Sequence, residues 1–283
     1  MSATSTESQF KQSWSANNAE NLYTHWTPGE PANQIQLAFR NHWTLFQQLL
    51  QQSSGFNGGK RSLEVGCGRG SLSAYFANGG YDATVLDISE SVIDIAKQIF
   101  ARNQLAVNAV VGDARALPFA DGSFDTVFSI GLFEHFEDPE PFLAEQVRIL
   151  DKGGMFFAYV VPHYTENVQK EFAWINDVLK GYVQHQPQTP KQALYRSDAD
   201  SSAYLPLMER YGLTEIQHSG VYPLPMISHS IDFPFSLMPE PSEAAIVAHF
   251  NQQLAERAQV TGKHPWLCDE GFGQAYLVWG VKG

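Results

Sequence analysis

The sequence predicts a doubly wound α/β protein built on a mostly parallel sheet. From Lys60 onward, short apolar runs alternate with stretches of helical spacing, which is the order that crossover connections require. The runs are apolar throughout rather than at every second residue, which is typical of strands buried between two layers of helices. Seven such runs predict strands, at residues 62–65, 83–86, 109–111, 126–130, 155–161, 213–219 and 274–281.

Helical spacing fills the gaps between the first strands, at residues 72–78, 89–102 and 141–150. A further helix is predicted ahead of the sheet, from Pro31 to about Ser53. Pro31 suits a first helical turn because its missing N–H would have no intrahelical partner there. The apolar positions of this helix recur at three- and four-residue steps, at Ile35, Phe39, Trp43, Phe46 and Leu50.

The chain is predicted to have two parts, and two long insertions interrupt the alternation of strands and helices in the second part. Residues 1–55 are predicted to form a polar tail and a lid helix, and residues 56–283 the main domain. Within that domain, insertions at about 163–200 and 221–271 follow predicted strands. They form either a substrate cap or packing over an edge of the sheet; a cap is favoured because ligands bind at the carboxyl ends of parallel strands.

Composition excludes several classes of protein. The formal net charge of −12 repels a phosphate backbone, so nucleic acid is not an expected partner. No apolar run approaches the ~20 residues of a membrane span, and the amino terminus lacks a secretory pattern. Two cysteines form no disulfide framework, and no histidine pair has the spacing of metal ligands, so no metal is expected. A soluble, acidic, cytoplasmic protein of unknown oligomeric state is expected.

The first predicted strand runs into the sequence LEVGCGRGSL, which places glycines at 66, 68 and 70. Glycines at alternate positions allow a tight turn and a close approach of the backbone to a ligand, and the next helix offers free N–H groups. The dinucleotide fingerprint does not fit, because Ser71 or Ser73 stands where its third glycine is needed. A phosphate-binding P-loop is excluded because no G-K-[ST] follows.

The pattern Glu-x-Gly-x-Gly-x-Gly after a strand resembles that of the class I S-adenosylmethionine-dependent methyltransferases. The resemblance covers residues 60–161 closely and 200–283 loosely, and it continues in Asp87 (ATVLDIS) and Asp113 (VVGDARALPF), which end the second and third predicted strands. It implies the Rossmann-like methyltransferase fold with a seven-stranded sheet and helical cap insertions. It also implies S-adenosylmethionine as cofactor and S-adenosylhomocysteine as product.

The resemblance assigns roles to the residues at the strand ends. Asp87 accepts hydrogen bonds from both ribose hydroxyls, for which an acceptor-only carboxylate is suited. Asp113 receives the adenine amino group, the Ala114 N–H faces a ring nitrogen and Ile88 lies against the adenine face. The other expected cofactor-binding residues are Glu64, Gly66, Cys67, Gly68, Gly70 and Ile130. Asp87 as a helix cap and Asp113 as a turn residue stay open as alternatives.

The segment IGLFEHF after the fourth predicted strand supplies candidates for the acceptor side. His135 is the first choice for a general base, with a structural role as the alternative. Glu134 is a second candidate, and His163 after the fifth strand is a third. The segment also resembles the fatty-acid cyclopropane synthases, in which the glutamate helps hold bicarbonate, but Ala158 stands near the position of their histidine. His249 and His264 are expected at the surface.

Aromatic residues precede the first helix. Tyr23 and Trp26 are candidates to close over the cofactor and shield its sulfonium through cation–π contact, or else to form a hydrophobic staple.

The function predicted from the sequence is methyl transfer to an O, N or S atom of a small organic metabolite. Alternatives are carbon methylation of a lipid or quinone precursor, a cofactor-binding protein without transferase activity, and an oxidoreductase.

Overall fold

A single mixed sheet organises the part of the chain that the computed structural model describes, residues 26–163, 195–222 and 240–283. Its strands run in the order β3-β2-β1-β4-β5-β8-β6-β7. They are β1 (Arg61–Val65), β2 (Asp82–Asp87), β3 (Asn108–Val111), β4 (Phe124–Ile130), β5 (Leu150–Val160), β6 (Leu213–Val221), β7 (Leu267–Cys268) and β8 (Ala275–Lys282).

The first five strands are parallel, and the last three continue the sheet in antiparallel pairs. The sequence therefore predicted the fold class correctly. It missed β7, because two residues are too few to show a periodic pattern. β5 also starts earlier than predicted, at Leu150, through a register shift between Phe124 and Thr126 of β4.

Helices cover both faces of the sheet within the described residues. They are α1 (Gln34–Gln52), α2 (Ser71–Asn78), α3 (Glu90–Arg102), α4 (Glu140–Arg148), α5 (Leu205–Arg210) and α6 (Glu240–Thr261). One apolar cluster joins α1, α2 and α6 to β4, β5 and β8, and a second joins α4 and α5 to the opposite face. None of these helices combines the length and apolar character that crossing a membrane requires.

The prediction that α1 starts at Pro31 is wrong. The helix begins at Gln34, because the side chain of Asn33 caps it by accepting a hydrogen bond from the Gln36 N–H at 2.9 Å. The carboxyl end of α1 leads through a short loop to the start of β1, at the edge of the sheet where the parallel strands begin. The amino-terminal turn of α1 therefore lies at the opposite edge, where the parallel strands end. The expected surface position of His264 is also wrong, because its side chain is buried against Thr44 of α1.

Candidate functional site

The turn after β1 is held in a conformation that only glycine adopts readily. Gly66, Gly68 and Gly70 have φ angles of 69°, 52° and 66°. The backbone N–H groups of Gly66 and Cys67 both donate to the carbonyl of Leu86 in β2, at 2.9 and 3.0 Å. A Cβ atom on Gly66 would lie 2.9 Å from Leu132, so the turn also packs against the segment after β4.

Glu64 connects β1 to the first turn of α2. Its side chain is buried, and its Oε2 accepts hydrogen bonds from the backbone N–H of Ser73 at 3.0 Å and from the Ser73 hydroxyl at 2.6 Å. Burial raises the pKa of Glu64 to about 7, although the two bonds from Ser73 oppose the shift. The sequence analysis missed Ser73, whose role only the packing of α2 on β1 reveals.

Asp87 at the end of β2 faces the glycine turn. Its Oδ2 accepts from the Gly68 N–H at 3.2 Å and its Oδ1 accepts from the Ser89 N–H at 3.0 Å. Burial raises the pKa of this carboxyl group, while these backbone N–H groups lower it. The Ile88 N–H acts in the same way, so three backbone donors share a carboxylate with about four acceptor positions, which leaves room for a hydroxyl group of a ligand. Through its bond from the Ser89 N–H, Asp87 also holds the start of α3, which is close to its alternative role as a helix cap.

Asp113 lies after β3 in the next loop of the same edge. Its carboxylate accepts from the Arg115 N–H at 2.8 Å and pairs with the Arg115 guanidinium at 2.6 Å. Both side chains are partly exposed, and Ile88 and Ala114 are half-buried beside them. The hydrogen bond from the Arg115 N–H to the Asp113 carboxylate is typical of a turn, which matches the alternative role of Asp113 as a turn residue. The pattern at the strand end does not predict the pairing of Arg115 with Asp113, which the folded loop brings about.

The segment after β4 holds a buried acid. Ile130 ends the strand, and Gly131, with a φ of 68°, donates its N–H to the carbonyl of Tyr159 at 2.9 Å. Glu134 follows in a short 3-10 turn and is 1% exposed, and its Oε2 has no hydrogen-bond partner among the described residues. Burial raises the pKa of Glu134 to about 8, against smaller opposing effects that include the charge of Arg196.

His135 lies next to this acid, with its Nε2 3.8 Å from Glu134 Oε1, and its other ring nitrogen binds residues of the first insertion. Its Nδ1 lies 2.8 Å from the carbonyl oxygen of Tyr195, and because that oxygen can only accept, Nδ1 carries the proton. The ring is 7% exposed, and burial lowers its pKa to about 4. The backbone adds a second attachment, from the Ser197 N–H to the carbonyl of Glu134 at 2.7 Å. His135 therefore helps hold residues 195–197 over the end of β4.

Both expected insertions depart from and return to this edge of the sheet. The N–H of His163, an exposed residue after β5, donates to the carbonyl of Ser197 at 2.8 Å, so the ends of the first insertion meet. The N–H of Tyr222 donates to the carbonyl of Trp266 at 2.8 Å at the ends of the second. Most of the first insertion and residues 223–239 of the second lie outside the described residues. The latter include Met226, Phe233, Phe235 and Met238, which the sequence suggests either for an apolar acceptor pocket or for packing within the cap.

Trp26 packs against the glycine turn, while Tyr23 lies outside the described residues. The indole is 4% exposed, meets the edge of Tyr75 with ring centroids 6.2 Å apart, and shares an apolar cluster with Cys67. Burial raises the pKa of the Cys67 thiol well above its usual value, which keeps it protonated. No group of three metal-ligating side chains forms within the described ranges.

Comparisons with known proteins agree with this arrangement. Residues 63–158 match the family model of the methyltransferase domain. A demethylmenaquinone methyltransferase of Renibacterium salmoninarum is 31% identical over 165 residues, 58% of this chain and 64% of that protein. A ubiquinone biosynthesis O-methyltransferase of Coxiella burnetii is 36% identical over 99 residues, 35% of this chain and 42% of that protein. The chain thus spans less than two thirds of the length of either relative.

A solved structure shares the fold over the full length of both chains. The magnesium protoporphyrin IX methyltransferase of Synechocystis PCC 6803 superposes with a TM-score of 0.55 at 14% identity, covering 100% of each chain. The sheet order and the family match define a class I methyltransferase fold. The resemblance found in the sequence is thereby confirmed by the methyltransferase-domain match over residues 63–158, which also supports S-adenosylmethionine as the cofactor.

Proposed function

We propose that this protein transfers a methyl group from S-adenosylmethionine to a small organic molecule. The observation that carries the proposal is the convergence of the glycine turn, Asp87 and Asp113 at three adjacent strand ends. Asp87 is proposed to accept from the ribose hydroxyls as an acceptor-only carboxylate, and the open backbone of the glycine turn suits the methionine part of the cofactor. Glu64 supports this turn from beneath through Ser73 rather than by reaching the ligand.

The adenine ring is proposed to lie between Ile88 and the loop after β3. Asp113 would accept from the adenine amino group and the Ala114 N–H would donate to a ring nitrogen. Arg115 holds both carboxylate oxygens of Asp113, so it orients that carboxylate toward the proposed adenine site. When bound, the cofactor supplies a methyl group on its sulfonium sulfur. Transfer of that methyl group to the acceptor leaves S-adenosylhomocysteine.

Glu134 is the group we propose to take the acceptor's proton. It lies after Ile130, at the strand end beside the glycine turn, and one of its oxygens is buried without a partner. Its pKa of about 8 makes it a stronger base than an ordinary carboxylate. His135 suits this role less well, because its pKa of about 4 and its bond to Tyr195 favour an anchoring role. His163 remains a candidate for contacting the acceptor from the exposed end of β5.

The two insertions are proposed to cap the acceptor, and α1 with Trp26 and Tyr23 to close the cofactor side. The support is that both pairs of insertion ends meet at the edge that carries Glu134, and that Trp26 packs against the glycine turn. Closure would exclude water from the reacting groups, which strengthens their electrostatic interactions. The net charge of −12 argues against nucleic acid as the acceptor.

A quinone precursor with a phenolic hydroxyl is the acceptor class that we favour. Two relatives are named for quinone substrates, a demethylmenaquinone methyltransferase and a ubiquinone biosynthesis O-methyltransferase, and the second name specifies transfer to oxygen. A basic carboxylate is suited to removing the proton of a phenol. Carbon methylation of a lipid or quinone precursor is the second candidate. A protein that binds the cofactor without transferring its methyl group is the third.

Methyl transfer can be measured directly with radiolabelled S-adenosylmethionine and 1-naphthol or 1,4-dihydroxynaphthalene as acceptor. We expect label in the organic product with 1-naphthol, at its oxygen, and loss of that label in Asp87→Ala. Label on a ring carbon would favour the second candidate. Cofactor binding without transfer to any phenol, amine or thiol acceptor would contradict the transferase proposal and favour the third.

A further inference from the structure

Two acids with little exposure to water lie at neighbouring strand ends around the glycine turn. Glu64, near the end of β1, is 2% exposed, and Asp87, at the end of β2, is half-buried. Burial is the largest cause of the raised pKa of each carboxyl group, and the charge of Asp87 raises the pKa of Glu64 further. The charges of both acids also raise the pKa of the Cys67 thiol, which lies in the turn. Both carboxylates therefore act on the turn itself.

The described side chains around Glu64 supply hydrogen bonds but no opposite charge. Ser73 of α2 donates to Oε2 of Glu64 from its N–H and its hydroxyl. In the neighbouring strands, the residues paired with Glu64 are Val85 and Phe128, which are apolar. Arg69, the cation of the glycine turn, does not contribute to the shift in the pKa of Glu64. Ionisation of Glu64 is therefore unfavourable unless a ligand supplies a positive charge nearby.

The cofactor and its product differ in the charge of one atom. S-adenosylmethionine carries a positive charge on its sulfonium sulfur, whereas S-adenosylhomocysteine has a neutral thioether in its place. The methionine part of either ligand is proposed to lie along the glycine turn, on which the charges of Glu64 and Asp87 act. An ionised acid beside this turn should stabilise the cofactor more than the product, because only the cofactor's sulfur supplies an opposite charge.

We propose that Glu64, besides tying β1 to α2, shifts the preference of the site toward the cationic cofactor and away from its neutral product. Glu64 acts through its charge from beneath the turn and needs no contact with the ligand, so it is not a catalytic residue. Because a protonated carboxyl group carries no charge, the preference should grow as Glu64 ionises. Loss of the sulfonium charge on methyl transfer then removes this stabilisation and favours release of the product. This inference rests on the proposed placement of the cofactor.

The test is calorimetric titration of each ligand into the full-length protein between about pH 5.5 and 8.5. The quantity compared is the Kd of S-adenosylhomocysteine divided by the Kd of S-adenosylmethionine. In the wild type we expect this ratio to rise roughly 3- to 10-fold as the pH passes about 7, where Glu64 ionises. Glu64→Gln removes the charge and keeps the size of the side chain, so it should abolish most of this rise. Glu134 and the amino groups of the ligands titrate in both proteins, so the comparison isolates Glu64.

Ser73→Ala separates the charge of Glu64 from its structural role. The substitution removes part of the tie between β1 and α2 and leaves the carboxyl group in place. Because the Ser73 hydroxyl lowers the pKa of Glu64, its loss should move the rise in the ratio to higher pH without abolishing it. A structural role alone would weaken both ligands equally in Ser73→Ala and in Glu64→Gln, and the ratio would stay as in the wild type.

Asp125→Asn is the matched control, because Asp125 is also buried but lies at the start of β4, at the opposite edge of the sheet, where it binds Arg61. It should lower stability and leave the ratio and its pH dependence unchanged. A wild-type ratio that is level with pH would overturn this inference, as would a full rise in Glu64→Gln or no shift of the rise in Ser73→Ala. In each of these cases binding of both ligands leaves the proposed function intact. Failure of the folded wild type to bind either ligand overturns the proposed function as well.

Discussion

Burial sets the protonation of two glutamates beside the candidate site. Glu64 and Glu134 are both almost fully buried, with pKa values raised to about 7 and about 8. Glu64 has two hydrogen bonds from Ser73, whereas one oxygen of Glu134 has no partner among the described residues. The same physical cause therefore supports two different roles: a structural tie between β1 and α2 for Glu64, and proton acceptance for Glu134.

Turnover should depend on pH through Glu134. A raised carboxyl pKa means that Glu134 is protonated below pH 8 and becomes a base above it, so kcat with 1-naphthol should rise as the pH passes about 8. Glu134→Gln should remove this rise and lower kcat by about 10²-fold. The measurement is a pH profile of kcat between pH 6 and 10 for both proteins.

His135→Asn is the control for this profile. Were His135 the base, its pKa of about 4 would make kcat level from pH 6 upward, and the substitution would lower kcat at every pH. We expect instead that His135→Asn retains the rise near pH 8. An unchanged rise in Glu134→Gln would contradict the assignment of the base.

The turn between β1 and α2 combines two constraints at Gly66. Its φ of 69° strains any other residue, and a Cβ atom would lie 2.9 Å from Leu132. Gly58, in the loop before β1, has a similar φ of 75° but nothing within 4 Å of its Cβ position. A comparison of alanine substitutions at Gly58 and Gly66 therefore separates the effect of backbone strain from the effect of crowding against Leu132.

Gly66→Ala and Gly58→Ala should each lower the free energy of unfolding by about 1–2 kcal/mol, because both place alanine in a left-handed conformation. Gly66→Ala should lose more, since Leu132 must also move, and it alone should weaken binding of S-adenosylhomocysteine. Urea denaturation and calorimetry measure the two effects. Equal cofactor affinity in Gly66→Ala and the wild type would show that the turn does not approach the ligand.

Local patterns explain why the strands and most helices were predictable, and long-range contacts explain the exceptions. Apolar runs identified every strand except β7, while the cap formed by Asn33 moved the start of α1 from Pro31 to Gln34. Capping depends on one side chain's geometry, which helical periodicity does not show.

The residues of the candidate site also fall into two groups, those that local patterns predict and those that only long-range contacts reveal. The acids at the strand ends follow from motif and topology, because parallel strands end at one edge of the sheet. The contacts of His135 with Tyr195 and of Glu134 with Ser197 do not, since each joins residues about sixty positions apart. The burial that distinguishes Glu134 from His135 as a base is likewise a property of tertiary packing.

At the scale of the whole molecule, the residues of the candidate site gather at one edge of the sheet. Both insertions and the amino-terminal turn of α1 meet at the carboxyl edge of the parallel strands, so cofactor and acceptor would be enclosed from the same side. Because the cofactor binds the folded state and not the unfolded chain, it should also raise the free energy of unfolding. The increase is about 2.7 kcal/mol when the ligand concentration is a hundred times its Kd.

Titration of S-adenosylhomocysteine into the wild type and Asp87→Ala, followed by calorimetry and melting temperature, tests the central claim most directly. We predict heat of binding and a raised melting temperature for the wild type. In Asp87→Ala, losing charge-assisted hydrogen bonds to the ribose should weaken affinity roughly 10- to 150-fold while the protein stays folded. No heat and no melting shift with the folded wild type would contradict the claim that these strand ends bind the cofactor.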